Sequence, residues 1–186
     1  MSIPVISDVY QDVIPAELRS LRQWVAWTYS YRRKWTKPPI NPLTRRHASV
    51  TERQHWTLFE TAYGVMQREG FAGVGFVLTR EDPYVAIDLD ACVTDIGGII
   101  EPWAQEIVEQ VQTYTEFSPS GQGLRLIARG KLPLGGRKKD RLELYDSARY
   151  VTVTGHHVDG TPFTIEPRAE PILQLHMKHF PPLPPS

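Results

Sequence analysis

Apolar and polar positions change period several times along this chain of 186 residues, and each change predicts an element. Residues 1–13 read as a lead-in, and Asp12 followed by Pro15 opens a short helix carrying Leu18, Leu21 and Arg22. Gln23 to Tyr31, with Trp24, Val25, Ala26, Trp27 and Tyr29, predicts a buried strand. A basic turn follows it and runs into Lys37, Pro38 and Pro39. Thr51 and Gln54 have the spacing of a capping box, and Trp56, Phe59, Tyr63 and Met66 then recur at helical spacing as far as Gly70. Gly73 to Leu78 and Tyr84 to Leu89 are short runs rich in valine, isoleucine and aromatic residues. With the polar turn between them they predict a hairpin. Pro102 opens a second amphipathic helix whose buried stripe is Trp103, Ile107 and Val111. After Thr115 come a Ser/Gly turn, a strand from Leu124 to Ala128, a basic loop at 135–139, and strands at Arg141 to Tyr145 and Arg149 to Thr154. The expected fold class is therefore mixed α+β.

Residues 14–180 read as one domain, in keeping with a chain of this length. Pro181 to Ser186, with four prolines in six residues, reads as an extended linker. Composition changes this picture little: apolar residues are 41%, aromatic 10% and charged 23%, which excludes disorder, collagen and coiled coil. No apolar run is long enough to span a bilayer and no basic-then-apolar leader is present, so a cytoplasmic location without membrane partners is expected. The single cysteine, Cys92, excludes an internal disulfide and a thiolate zinc cluster.

Charge is more informative than composition, because a formal net charge of zero conceals strong segregation. Leu18 to Thr51 carries Arg19, Arg22, Arg32, Arg33, Lys34, Lys37, Arg45 and Arg46 with no acidic residue, whereas Glu81 to Glu109 is acidic with no basic one. Arg129 to Arg141 is basic again. The pattern suggests a surface that handles polyanions around a focus of negative charge able to hold divalent metal.

Three local motifs could carry chemistry. Asp88 and Asp90 end an apolar strand on one face, and paired carboxylates on a rigid strand are hard oxygen donors suited to Mg²⁺ or Mn²⁺. Glu116 to Arg125 joins Ser118, Ser120, Gly121, Gly123 and Arg125 in a turn entering a strand. Glycine backbone, hydroxyls and a guanidinium there compose a phosphate cradle. On the last motif, Leu142 and Leu144 face a core while Glu143 shares the other face with Arg141 and Tyr145, offering a third carboxylate and an aromatic platform; Asp146 is the rival ligand. Separately, Arg32, Arg33, Lys34, Trp35 and Lys37 form a basic and aromatic cluster of the kind that contacts single-stranded nucleic acid. His156, His157, His176 and His179 read as structural or surface residues.

Together these motifs resemble the archaeo-eukaryotic primase superfamily, and within it the primase-polymerases of phages and plasmids. The resemblance runs from about Leu18 to Asp159. In order it comprises Lys37, Pro38, Pro39; then Gly73, Val74, Gly75, Phe76; then Asp88 and Asp90; the Ser118 to Gly123 turn; Glu143, Leu144, Tyr145; and Arg149, Tyr150 with Thr152, Val153, Thr154, Gly155. One departure is Arg125, where many relatives carry histidine. Arginine binds phosphate but is no general acid at neutral pH.

The resemblance implies a strand-rich half of RNA-recognition-motif topology and a smaller α/β half, with the site in the cleft between them. It also implies nucleotidyl transfer with two divalent ions, Mg²⁺ or Mn²⁺, on Asp88, Asp90 and Glu143. Ser118, Ser120, Gly121, Gly123, Arg125, Lys138, Tyr145 and Arg149 would bind an NTP or dNTP, beside a single-stranded or primed DNA template. Helicase or helical accessory domains, fused or separate, are the expected partners. The alternatives are an inactive nucleotide- or single-strand-binding module, a glycosyltransferase using the Asp88/Asp90 pair, and a metal-dependent nuclease.

Overall fold

Strand alternation in this protein serves two cores at once. The computed structural model describes residues 8–94 and 98–181. In chain order its elements are α1 (Ala16–Arg19), β1 (Trp24–Trp27), β2 (Ser30–Arg32), β3 (Lys34–Thr36), β4 (Pro39–Ile40), α2 (Phe59–Glu69), β5 (Gly73–Leu78), β6 (Tyr84–Leu89), α3 (Pro102–Val111), β7 (Tyr114–Phe117), β8 (Leu124–Arg129), β9 (Lys138–Lys139), β10 (Leu142–Tyr145), β11 (Arg149–Val153) and α4 (Ala169–His179). The strands form a four-stranded sheet ordered β11-β5-β1-β4, a five-stranded sheet ordered β7-β8-β6-β10-β9, and the separate ribbon β2-β3. All pairings between these strands are antiparallel, and the fold is α+β.

In the larger sheet β6 and β7 flank β8, which is antiparallel to both, and α3 connects them. This is a split β-α-β unit, and β10 completes it on the far side of β6. Val85, Ile87 and Leu89 of β6, with Leu124 and Leu126 of β8 and Leu142 and Leu144 of β10, point to one face. There they pack on Ile107, Val108 and Val111 of α3 and on Ile172 and Leu175 of α4. The opposite face contributes Tyr84, Ala86, Tyr114 and Ile127 to a second core with Val74, Phe76, Val151 and Val153 of the smaller sheet. Trp24 anchors this core. It meets Phe59 and Phe76 edge-on at 4.9 and 5.4 Å and donates from Nε1 to Leu18 O at 2.9 Å. Burying such a ring contributes about 4–6 kcal/mol, from about 150–250 Å² at about 25 cal/mol per Å².

Several expectations are corrected. β5 and β6 do not form a hairpin: each lies inside a different sheet, and the 79–83 turn carries the chain across. Asp82 holds that turn by accepting from Thr79 N and Gln23 Nε2, both at 2.8 Å. Two strands buried on both faces look like hairpin partners in sequence, but here each has better partners elsewhere. The capping box does not form, since Thr51 bonds Ser49 and Gln54 bonds Glu52; a 3₁₀ turn at Arg53–His55 intervenes and α2 begins at Phe59. The run to Tyr31 is not one strand but β1 and then β2. α1 stops at Arg19, short of Leu21 and Arg22. β7 and α4 are additional elements. The linker at 181–186 and residues 1–7 of the lead-in fall almost wholly outside the described residues. No helix among the described residues is long and apolar enough to cross a membrane.

The glycines of the 73–76 motif have a steric reason. A Cβ on Gly73 would lie 2.6 Å from the Trp27 indole, and one on Gly75 would lie 2.4 Å from the Tyr150 ring. Both rings occupy the space that those side chains would need. Gly75→Ala is therefore expected to lower stability by about 1–3 kcal/mol. Urea unfolding of the single variants and of Gly75→Ala/Tyr150→Ala should show non-additivity, with much of the alanine's cost gone once the ring is removed.

Candidate functional site

The second core changes character along the strands. On β6 one face reads Tyr84, Ala86, Asp88; on β8 it reads Ile127 and then Arg125, and on β10 Tyr145 and then Glu143. The register places Asp88 directly opposite Arg125 on one side and Glu143 on the other. The apolar inter-sheet packing thus opens, at this end, into a charged cavity of about 620 Å³. Asp88, Arg125, Glu143 and Tyr145 line it from the larger sheet, Arg149, Tyr150 and Thr152 from β11, and Lys37, His47 and Ser49 from the segment around β4.

Arg125 is turned away from Leu124 and Leu126 as alternation requires, yet it does not leave the interior: it is only 8% exposed. Its Nε donates to Asp88 Oδ1 at 2.6 Å, and its Nη1 donates to Thr152 O and to Thr152 Oγ1. One guanidinium therefore ties β6 of the larger sheet to β11 of the smaller. Burial disfavours its charged form, but Asp88 and Glu116 outweigh that and hold its pKa above the ordinary value.

Glu143 sits in a second network. Lys138 donates to Glu143 Oε1, and the Tyr145 hydroxyl donates to Glu143 Oε2 at 2.5 Å. Arg149 donates to the same hydroxyl at 2.8 Å and lies over the Tyr145 ring at 4.4 Å. Desolvation is the largest influence on Glu143 and pushes its pKa up, but Lys138, Tyr145 and Arg149 together bring it below the ordinary value. Asp146 is turned elsewhere and accepts from Leu132 N at 3.2 Å. Arg141, just ahead of β10, reaches Glu101 and Ala91 O instead.

Asp90 lies past the end of β6, where its N–H bonds Arg141 O and Ala91 turns the chain at φ 47°. Partial burial, then Asp88 and then Glu143, raise its pKa. The three carboxylates thus share one field, but among the described residues no three Asp, Glu, His or Cys side chains converge closely enough to hold a metal ion as they stand. Asp88 and Glu143 are each neutralised by a side-chain cation, Arg125 and Lys138. Their hard-oxygen chemistry fits a divalent ion, which would compete with those two cations.

The remaining site expectations are distributed unevenly. Lys37 reaches the cavity with its ammonium 6.0 Å from the Trp27 ring. Desolvation, followed by Arg125, lowers its pKa, against an upward pull from Asp88 and Asp90. Arg32, Arg33, Lys34 and Trp35 lie instead on the exposed β2-β3 ribbon. Ser118, Ser120, Gly121 and Gly123 are outside the cavity lining and form a self-bonded turn. Ser118 Oγ contacts Ser120 Oγ at 3.0 Å and accepts from Gly123 N at 3.1 Å, and Gly121 takes φ 71°. That turn docks at the same end of β6: Cys92 N and Val93 N donate to Gln122 O, and a Cβ on Gly123 would meet Leu89 O at 2.8 Å. Cys92 is a small buried residue, its thiol pushed up to about 11 by burial.

Sequence reasoning missed His47 and Ser49, which reach the cavity because Asn41 folds the following loop back. Asn41 Oδ1 accepts from Leu43 N at 2.9 Å, and Ala48 N then bonds Pro39 O. It also missed the role of Glu116. This carboxylate is wholly buried and accepts from the Tyr114 hydroxyl at 2.7 Å, Thr154 N at 3.0 Å and Gly155 N at 2.9 Å. It clamps β7 to the chain just beyond β11. Desolvation raises its pKa despite those donors.

The protein is thus a two-sheet α+β fold whose cleft gathers strand carboxylates and cations, and comparison with known proteins adds to this. The chain is 37% identical over 153 residues, 79% of its length, to a protein named DNA primase-polymerase from Nitratiruptor phage NrS-1. It spans about a fifth (21%) of the length of that relative. No protein-family profile matches the chain. The chain is thus a homologue of a phage-type primase-polymerase, and the motif resemblance is borne out at that level.

Replacing Glu116 with glutamine would set an NH₂ group against one of its donors and leave a buried group unpaired. Glu116→Gln is expected to cost about 1–3 kcal/mol in urea unfolding. Because the folded carboxyl titrates above its ordinary 4.5, its contribution is present at low pH and is lost as pH rises through the raised pKa. The variant should lack that fall in a pH series of unfolding midpoints.

Proposed function

We propose that this chain is the nucleotidyl-transfer core of a DNA primase-polymerase that joins a 3′-hydroxyl to the α-phosphate of an NTP or dNTP, with pyrophosphate leaving. The observation that carries this reading is the cross-strand placement of Asp88 between Arg125 and Glu143, in a cavity also reached by Lys37 and Arg149. Carboxylates and cations facing one cavity suit a polyphosphate with its counter-ions, and about 620 Å³ lies within the usual range of ligand pockets. The homologue's name supports the same reading. When bound to Asp88, Asp90 and Glu143, two divalent ions, Mg²⁺ or Mn²⁺, would polarise the attacking hydroxyl and stabilise the leaving pyrophosphate.

The chain's own groups do the rest. Lys138, Arg149 and Lys37 take the phosphate oxygens, Lys138 turning from the carboxylate it now neutralises, while Arg125 stays as the buried bridge and adds its positive field to the cavity floor. The Ser118, Ser120, Gly121 and Gly123 turn holds the strand end on which the phosphates rest. Tyr145, fixed between Glu143 and Arg149, supports the sugar. Single-stranded or primed DNA is the second substrate. A helicase or helical accessory domain, fused or separate, in a mobile-element replication system is the proposed setting.

A metal-independent nucleotide-binding module is the second reading, favoured by the ion pairs that already occupy Asp88 and Glu143. Labelled-nucleotide incorporation on primed and unprimed single-stranded DNA, with Mg²⁺ or Mn²⁺, separates the two. Asp88→Ala/Asp90→Ala is expected to lower incorporation by about 10³-fold or more, equivalent to about 4 kcal/mol of transition-state stabilisation. Incorporation that survives the double replacement overturns the assignment. Triphosphate binding that is indifferent both to metal and to Asp88 selects the binding module.

A further inference from the structure

The β2-β3 ribbon is set apart from both sheets and has two unlike faces. Tyr31 and Trp35 are cross-strand partners on one face, while Arg32 and Lys34 are partners on the other and Arg33 turns the tip at φ 65°. The aromatic face continues inward as a row. Tyr31 meets Trp35 at 5.3 Å, Trp35 meets Tyr29 at 6.1 Å, and Tyr29 meets Trp27 at 5.0 Å, each pair steeply tilted. Trp27 is buried against β5, and the Lys37 ammonium beside it reaches the cavity. An aromatic row therefore fixes the ribbon's direction relative to the candidate active site.

The outer rings are accessible: Tyr31 is 58% and Trp35 36% exposed. Leaving two large rings in water beside three cations, in a segment without a single acidic residue from 18 to 51, has a cost that neither core recovers. Rings present π-faces on which any base stacks, and neighbouring cations hold the phosphates between stacked bases. The ribbon is only about 5 Å from strand to strand, so Arg32 and Lys34 can reach round its edges from the opposite face.

We propose that the β2-β3 ribbon is a guide for single-stranded nucleic acid. Unpaired bases stack on Tyr31 and Trp35, Arg32, Arg33 and Lys34 hold the flanking phosphates, and the strand is directed along the aromatic row toward Lys37 and the cavity. The proposal deepens the polymerase reading by naming where the template enters, and it rests on that reading for its direction. It separates Lys37, a cleft residue, from the four ribbon residues beside it in sequence.

The test is fluorescence anisotropy of a labelled oligo-dT, without nucleotide or metal, over a salt series. Tyr31→Ala and Trp35→Ala should each weaken binding about 5- to 150-fold, and the phenylalanine variants should recover most of it. Replacing Arg32, Arg33 and Lys34 together with glutamine should lower the slope of log affinity against log salt by about 2. Unchanged urea midpoints would confirm that the ribbon variants fold. Full affinity in Tyr31→Ala/Trp35→Ala overturns the proposal, as does an equal loss for duplex DNA of the same length, which would make the ribbon a simple charge patch. Ring-dependent oligo-dT binding in a chain that incorporates no nucleotide would retain the guide and reject the polymerase reading.

Discussion

A guanidinium held between two sheets is the constraint around which this protein is arranged. Arg125 is buried, so its charge must be met inside the protein, and it is met from both sides by Asp88 on β6 and by Thr152 on β11. Removing either partner would leave buried charge or donors unpaired, so the sheets are held to one separation at that point. Below it the facing side chains are apolar and close-packed; beyond it the sheets part into the cavity. The same contact that closes the core therefore defines the floor of the candidate site.

Charge segregation in the chain finds its explanation in this geometry. The acidic run supplies β6 and its end, the middle of the larger sheet. The basic segment before residue 51 supplies Lys37 to the cavity lining and, apart from it, the exposed ribbon, and the basic segment after residue 129 supplies Lys138 to Glu143. Carboxylates on the middle strands with cations beside them fit a polyanion that brings its own cations. This arrangement also accounts for a net charge of zero in a protein proposed to handle nucleic acid, because attraction is local to the segregated basic segments.

Much of the fold was legible where local patterning agrees with tertiary demand. α3 follows its Pro102 start and its apolar stripe, and β6, β8, β10 and β11 follow their alternation closely. The failures share a cause. β7 escaped because a buried glutamate interrupts its pattern, and Glu116 is acceptable there only because Tyr114, Thr154 and Gly155 satisfy it. α4 escaped because Pro171 stands in its first turn and His176 takes a buried position on its stripe, bonding Gly136 O. The false hairpin of β5 and β6 arose because pairing partners are chosen by the whole sheet, not by the nearest turn.

For the candidate site the division is similar. The residue types and their order, Asp88 on one strand with Asp90 just past its end, Arg125 on β8 and Glu143 with Tyr145 on β10, are read from the sequence, because a period of two assigns each strand side chain to a face without reference to anything distant. Tertiary structure alone decided the rest. It turned Arg125 from an outward ligand into a buried bridge, brought His47 and Ser49 to the cavity, kept the Ser118 to Gly123 turn outside it, and parted Lys37 from its basic neighbours. Each of those outcomes depends on which strands pair and how two sheets approach, and such contacts span tens of residues that no local window joins.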